Sequence, residues 1–263
     1  MLSVQTCATL DEAARQMGDR TRFLAGGTLV MRGVNYADPS FDRIVRARTM
    51  PREIRSDGTG LRIGAGATMA DLLAARDAEI LHPVARMIGG PAVRNMATVG
   101  GNLFAAHPYG DLATALLALD ARVEMAGGAS EPMETFLAGR DRQRGLVTAV
   151  ILPRVTASEF RWAKISRVKP KGVSMLSIAA WLQGGSRVTD ARIAFGGMGP
   201  TPLRAMAAER ALRDRTLDPA GIEGALAACL DGLAPADDAL ASEWYRREVA
   251  PVHLRRLLLR EAR

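Results

Sequence analysis

A chain of 263 residues, 48% apolar and 24% charged, has the composition of a folded soluble protein and the length for one large domain or two smaller ones. Its formal net charge of +7 comes from arginines spread along the chain with acids between them, dense only in the tail "HLRRLLLREAR". No stacking or recognition motif accompanies them, so nucleic acid is not an expected partner. Two cysteines, Cys7 and Cys229, and three scattered histidines, His82, His107 and His253, exclude a disulfide framework and a metal or cluster site on this chain, and no window is apolar enough for a membrane span.

The N-terminus "MLSVQTCATLDEAARQ" lacks the basic flank and apolar centre of a secretion signal, so a cytoplasmic location is expected. Thr9, with Glu12 three residues on, reads as the cap of a first helix. A short strand follows at Arg22–Ala25 and runs into Gly26, Gly27 and Thr28. Another strand starts at Arg43. The strand "LRIGAGA" gives way to Thr68, which can cap the helix "MADLLAARD" with Asp71 in its first turn. Next comes "TVGGNLFAAHPYGD", from Thr98 to Asp111. Leu112, Leu116 and Leu119 lie on one face of a helix that Asp111 can cap. "ARVEM" and "LVTAVILP" read as strands, the second ending at Pro153. Beyond it three strand-like stretches, "FRWAKISRV", "SMLSIAAWL" and "VTDARIAFGG", precede helical ones, the last containing Pro251. Strands followed by helices predict an α+β unit with helices on one face of an antiparallel sheet. The expected boundary separates residues 1–154, themselves divided near residue 55, from residues 155–263.

The two Gly-Gly stretches carry the chemistry. A glycine after a strand lets the backbone turn and approach a ligand, and successive main-chain N–H groups then form a concave donor array suited to phosphate. "AGGTLV" fits this, with the Thr28 hydroxyl added. "TVGGN" fits again, with Thr98 and Asn102 as polar side chains. Either one alone is more often an ordinary turn. Two in one half of the chain suit a dinucleotide with a pyrophosphate. No GxGxxG opens a helix and no GxxxxGK[ST] occurs, which disfavours a Rossmann or P-loop fold. Asp111 serves as well for a helix cap as for a ligand contact, and a lone lysine such as Lys164 in a strand is ordinarily solvent-facing. Thr68 with Asp71 reads as a capping pair, and Arg94 and Asn95 as phosphate contacts or structural hydrogen-bonding groups. His107 reads as a loop residue or a proton relay.

"FLAGGTLVMRG", "IGAGATMADL", "VRNMATVGGNLFAAHPYGDLATALLALDARVEM", "KISR" and "ARIAFGGMGPTPLRA" occur in that order, and the set resembles the FAD-binding medium subunit of the molybdenum hydroxylases. That family includes the medium subunit of carbon monoxide dehydrogenase and the flavin domain of xanthine dehydrogenase. The resemblance spans essentially the whole chain and is most specific over residues 93–121. It implies a two-part FAD-binding domain of the vanillyl-alcohol oxidase type followed by a C-terminal α+β domain. It implies that Phe23, Leu24, Ala25, Gly26, Gly27, Thr28, Leu29 and Val30 wrap the FAD pyrophosphate. Thr98, Gly101 and Asn102 would hold the ribityl-phosphate part. Asp111 would face the sugar or adenine side, Ile88 the ring system, Val147 the polar edge of the flavin, and Lys164 the isoalloxazine. Two departures stand out. "KISRVKPKG" is more basic than its counterparts and lacks their acidic residue, and Tyr109 replaces a smaller residue, where it could cover or gate the flavin.

The expected function follows from the resemblance. The chain would be an FAD-binding electron-transfer oxidoreductase subunit with no catalytic side chain of its own. It would take electrons from 2Fe–2S clusters on a small partner subunit, fed by a large molybdopterin subunit, in a dimer of heterotrimers. The alternatives are a self-contained FAD-dependent reductase of the UDP-N-acetylenolpyruvylglucosamine reductase type and a flavin-free bridging subunit.

Overall fold

The computed structural model describes residues 2–142, 145–168 and 172–261. It is a mixed helix and sheet structure with three sheets. The chain separates into two compact units, one made of residues 1–105 and 121–154, the other of residues 106–120 and 155–263.

The first unit holds two sheets. β1 (Ser3–Cys7), β2 (Thr21–Phe23) and β3 (Arg43–Ala47) form a parallel sheet in the order β1-β3-β2. β4 (Ile54–Ser56), β5 (Gly60–Gly64), β6 (Arg122–Met125), β7 (Ser130–Pro132) and β8 (Val147–Pro153) form an antiparallel sheet in the order β4-β5-β8-β6-β7. The first helix, Leu10–Arg15, starts where the sequence placed it: the Thr9 hydroxyl accepts from the Glu12 N–H. Its buried Leu10 and Ala13 pack with Cys7, Val45 and Leu146. Thr68 and Asp71 form the expected capping box at the start of helix Met69–Ala74, with Asp71 also paired to Arg52 at 2.7 Å.

The second unit is built on β9 (Phe160–Ile165), β10 (Leu176–Gly184), β11 (Val188–Gly196) and β12 (Leu203–Arg204), an antiparallel sheet in the order β12-β11-β10-β9. Side chains alternate across a sheet. Ile178, Ala180, Ile193 and Phe195 lie on one face and share a core with Ala208, Leu212, Ala250, Leu254 and Leu258 of the C-terminal helices. Ser177 lies on the other face, where its hydroxyl is 3.4 Å from that of Thr114 on helix Asp111–Ala118. Both faces are therefore covered, and every residue of β10 from Leu176 to Leu182 is buried.

This differs from the expected layout in one respect. Residues 106–120 fall inside the stretch 1–154 that the sequence assigned to the first part, yet they pack within the second unit. Helix Asp111–Ala118 is buried at every position rather than along one leucine face. A helix buried all round needs cover on all sides, and the sheet of the second unit supplies one of those sides. The basic residues Lys169 and Lys171, with Pro170 between them, lie outside the described residues.

Candidate functional site

The first glycine turn leaves β2 after the Leu24 N–H donates to Val45 O at 2.8 Å. From Ala25 to Val30 no main-chain N–H donates a hydrogen bond among the described residues. These residues are half-buried, apart from the exposed Thr28. Gly27 has φ +76°, and a Cβ on Gly26 would lie 1.7 Å from Met96 O. The turn is thus a row of unused donors, shaped by one glycine's backbone angle and by the close approach of another to the 96–97 peptide. Unbonded N–H groups of this kind are costly unless a ligand or water takes them, and a concave row of them suits an anion. The residues present therefore fit the diphosphate of a dinucleotide. The helix that follows, Val30–Asn35, buries none of its residues.

The second glycine stretch is built differently, which corrects the expectation that it repeats the first. Residues 65–69 and 97–100 pair as a short antiparallel zipper. Met69 N–H donates to Ala97 O at 2.9 Å, Val99 N–H to Ala67 O at 2.8 Å, and Gly100 N–H to Ala65 O at 2.9 Å. Thr98 caps the one-turn helix Val99–Leu103: its hydroxyl accepts from Gly101 N–H at 3.1 Å, and its carbonyl accepts from Asn102 N–H at 3.0 Å. Every main-chain donor from Val99 to Asn102 is spent inside the chain. Gly100 is small for packing, because a Cβ there would lie 2.8 Å from Ala65 Cβ. Only the first turn offers an open donor row, and the second contributes side chains.

The first unit also carries Ile88, buried, ahead of Gly89 at φ +57°. Arg94 spans that bend, its Nη1 donating to Gly89 O at 2.7 Å and Arg86 O at 3.2 Å, so Arg94 takes the structural role of the two open to it. Val147 opens β8, buried, opposite Met125 where the register shifts.

Asp111 and Lys164, 53 positions apart in sequence, meet in the second unit. Lys164 Nζ lies 2.8 Å from Asp111 Oδ2, and both side chains are 4% exposed. The Ser174 hydroxyl donates to Asp111 Oδ1 at 2.6 Å. Two expectations are corrected here. Asp111 does not cap its helix: Gly110 is the capping position, and Asp111 is the first helical residue with its carboxylate spent on Lys164 and Ser174. Lys164 is buried rather than solvent-facing, because the carboxylate gives its charge a partner. Nothing in "GVSML" singles out Ser174 before the fold brings it to Asp111.

His107 is no simple loop residue either. The fully buried Arg246 donates from Nε to Met175 O at 3.0 Å, from Nη1 to Ala241 O at 3.0 Å, and from Nη2 to Asp238 Oδ2 at 2.7 Å. The same Nη2 approaches His107 Nε2 at 3.3 Å. Burial, then the Arg246 charge, pushes the His107 pKa below its ordinary 6.5, with Asp238 and Asp111 pulling the other way. As pH falls below 6.5, the unfolded chain therefore takes up a proton that the native histidine resists, and stability is lost on acidification. His107→Gln should flatten the fall in melting temperature across that range; an unchanged pH profile would remove His107 as its source.

The chain resembles known proteins over nearly its whole length. Residues 1–155 match the family model described as the FAD binding domain in molybdopterin dehydrogenase, and residues 162–261 match the CO dehydrogenase flavoprotein C-terminal domain. The chain is 27% identical to the glyceraldehyde dehydrogenase medium chain of Sulfolobus acidocaldarius, over 93% of this chain and 92% of that one. It is 28% identical to the carbon monoxide dehydrogenase medium chain of Afipia carboxidovorans, over 93% and 90% respectively. A solved carbon monoxide dehydrogenase from Hydrogenophaga pseudoflava superposes with a TM-score of 0.87 at 23% identity, covering 98% of this chain and 96% of that one, which shows a shared fold. With an open donor row where a diphosphate fits and both halves matched, the chain belongs to the family of FAD-binding medium subunits of the molybdenum hydroxylases.

Proposed function

We propose that this chain is the electron exit of a molybdenum hydroxylase complex. It takes electrons from 2Fe–2S clusters on a small partner subunit, supplied by a large molybdopterin subunit, and passes them to an external acceptor. The assembly is a dimer of heterotrimers in the cytoplasm. The observation that carries the reading is the unbonded N–H row from Ala25 to Val30. When bound, FAD supplies the redox chemistry, accepting electrons singly and releasing them in pairs.

The chain's own residues bind and orient. Phe23 and Leu24 end the strand that aims the turn, and the donors from Ala25 to Val30, with the Thr28 hydroxyl, hold the diphosphate. Thr98 and Asn102 hold the linker between phosphate and ring with their side chains, and Gly101, whose N–H is taken by the Thr98 hydroxyl, presents only its backbone surface. Ile88 and Val147 give apolar and main-chain contact to the ring system. Asp111 and Lys164 act together, since a cation paired at 2.8 Å presents far less charge to a cofactor than a free one.

Titration of apo protein should give a yellow complex of one FAD per chain. Riboflavin, which lacks the diphosphate, should bind at least on the order of 1,000-fold more weakly, as expected when several charge-assisted hydrogen bonds are lost. Equal affinity for the two, or no uptake of either, would end the reading. Purification from the source organism should bring down two further chains with molybdenum and iron, and a chain eluting alone without either metal would remove the partners.

A further inference from the structure

In the second unit, β9 and the end of helix Glu243–Leu259 flank a half-open cavity of about 200 Å³, lined by Arg161, Trp162, His253, Arg256, Arg260 and Glu261 among others. Arg161 donates from Nη1 to the carbonyls of Leu257 and Leu258, which satisfies the helix end, but its buried Nε has no acceptor. Arg260 donates to Ser158 O at 2.8 Å. The Arg256 side chain makes no hydrogen bond or ion pair among the described residues. Glu261, the one acid on the wall among the described residues, pairs at 3.3 Å with Arg255, which is not part of the lining. Burial, with the nearby Arg260 charge, pushes the Arg161 pKa down to about 10.

Among the described residues, a half-buried guanidinium that lies near a second one and keeps an orphaned donor lacks a counter-charge. The guanidinium fork matches phosphate oxygens in planar pairs. The volume falls below the ~300 Å³ at which pockets begin to enclose drug-sized ligands, so the missing group is small. We propose that this cavity binds a phosphate-class oxyanion, held by Arg256 and Arg260 over Arg161. The oxyanion is free inorganic phosphate or the terminal phosphoryl group of a larger molecule. The glycine turn belongs to the other unit.

The test uses the full chain loaded with FAD, so that phosphate cannot enter the glycine turn. Calorimetric titration with inorganic phosphate, and separately with ribose 5-phosphate, is run at constant ionic strength set by sodium chloride. Saturable binding is expected for at least one of them. Arg256→Gln and Arg260→Gln should each weaken it about tenfold, the loss of one charge-assisted hydrogen bond, while Arg15→Gln on the first unit should leave it unchanged. Binding of inorganic phosphate identifies the free ion, and binding of ribose 5-phosphate alone identifies a terminal phosphoryl group. No saturable binding of either, or equal affinity in the wild type and the Arg256→Gln and Arg260→Gln proteins, overturns the proposal.

Discussion

Asp111→Ala and Lys164→Met should each cost the protein about 3–5 kcal/mol of stability, and the double variant should cost less than either alone. Each single change strands a charge that is 4% exposed, and removing one partner of a buried pair leaves the other uncompensated. Removing both takes away the desolvation problem together with the attraction, which is often nearly neutral. A helix cap behaves otherwise: its loss costs about 1 kcal/mol and does not depend on a distant lysine. Urea denaturation of the wild type, both singles and the double closes the cycle. Additive effects of about 1 kcal/mol would mean that the pair is not coupled. The same four proteins, titrated with FAD, separate the roles further. If the pair also faces the cofactor, the double variant regains its melting temperature without regaining FAD affinity.

Gly26→Ala should be the most damaging change of a single methyl group in the first unit. The new Cβ would sit 1.7 Å from Met96 O and 2.7 Å from Met96 C, main-chain atoms that cannot swing aside as a flexible side chain would. The next carbonyl, Ala97 O, takes the Met69 N–H, so displacement of the 96–97 peptide pulls on the zipper between residues 65–69 and 97–100. Overpacking of this kind costs about 1–3 kcal/mol, and more where backbone must move. The donor row from Ala25 to Val30 would lose its shape with it, so FAD affinity should fall further than stability does. Gly90→Ala is the control: φ is −87° and nothing lies within 4 Å of the added methyl. Melting temperatures and FAD affinities of the two variants decide the matter, and a Gly26→Ala protein indistinguishable from Gly90→Ala would refute the close approach.

The contrast between the two glycine stretches shows where sequence reading works. Gly26 and Gly27 follow a strand, and a strand running into two glycines has few options besides a turn that exposes its N–H groups. Thr98 with Gly101 looks similar, but a threonine three residues before a potential helical N–H is also a capping signal, and capping consumes the donors. Which outcome holds depends on whether residues 65–67 offer carbonyls, and that is settled by tertiary pairing. The Asp111–Lys164 pair was named residue by residue from family resemblance, for contacts with a cofactor. That the two touch each other across 53 positions is a long-range fact no local pattern encodes. β10 was legible as a strand, since "LSIAAWL" is apolar without alternation, and such a run signals cover on both faces. The identity of that cover, a helix from sixty residues earlier, was not legible. β1 escaped the sequence reading because "SVQTC" is mostly exposed and shows no periodic apolar signal.

The loan of residues 106–120 to the second unit also bears on how the chain is made. During synthesis from the amino end, this greasy helix leaves the ribosome well before strands 176–196 exist to receive it. It must wait for some seconds at ordinary elongation rates, sheltered by a chaperone or by provisional burial elsewhere. Cutting the gene at codon 155 would give two fragments, one with an orphaned helix and one with a naked sheet face. Neither half is expected to be soluble when expressed by itself.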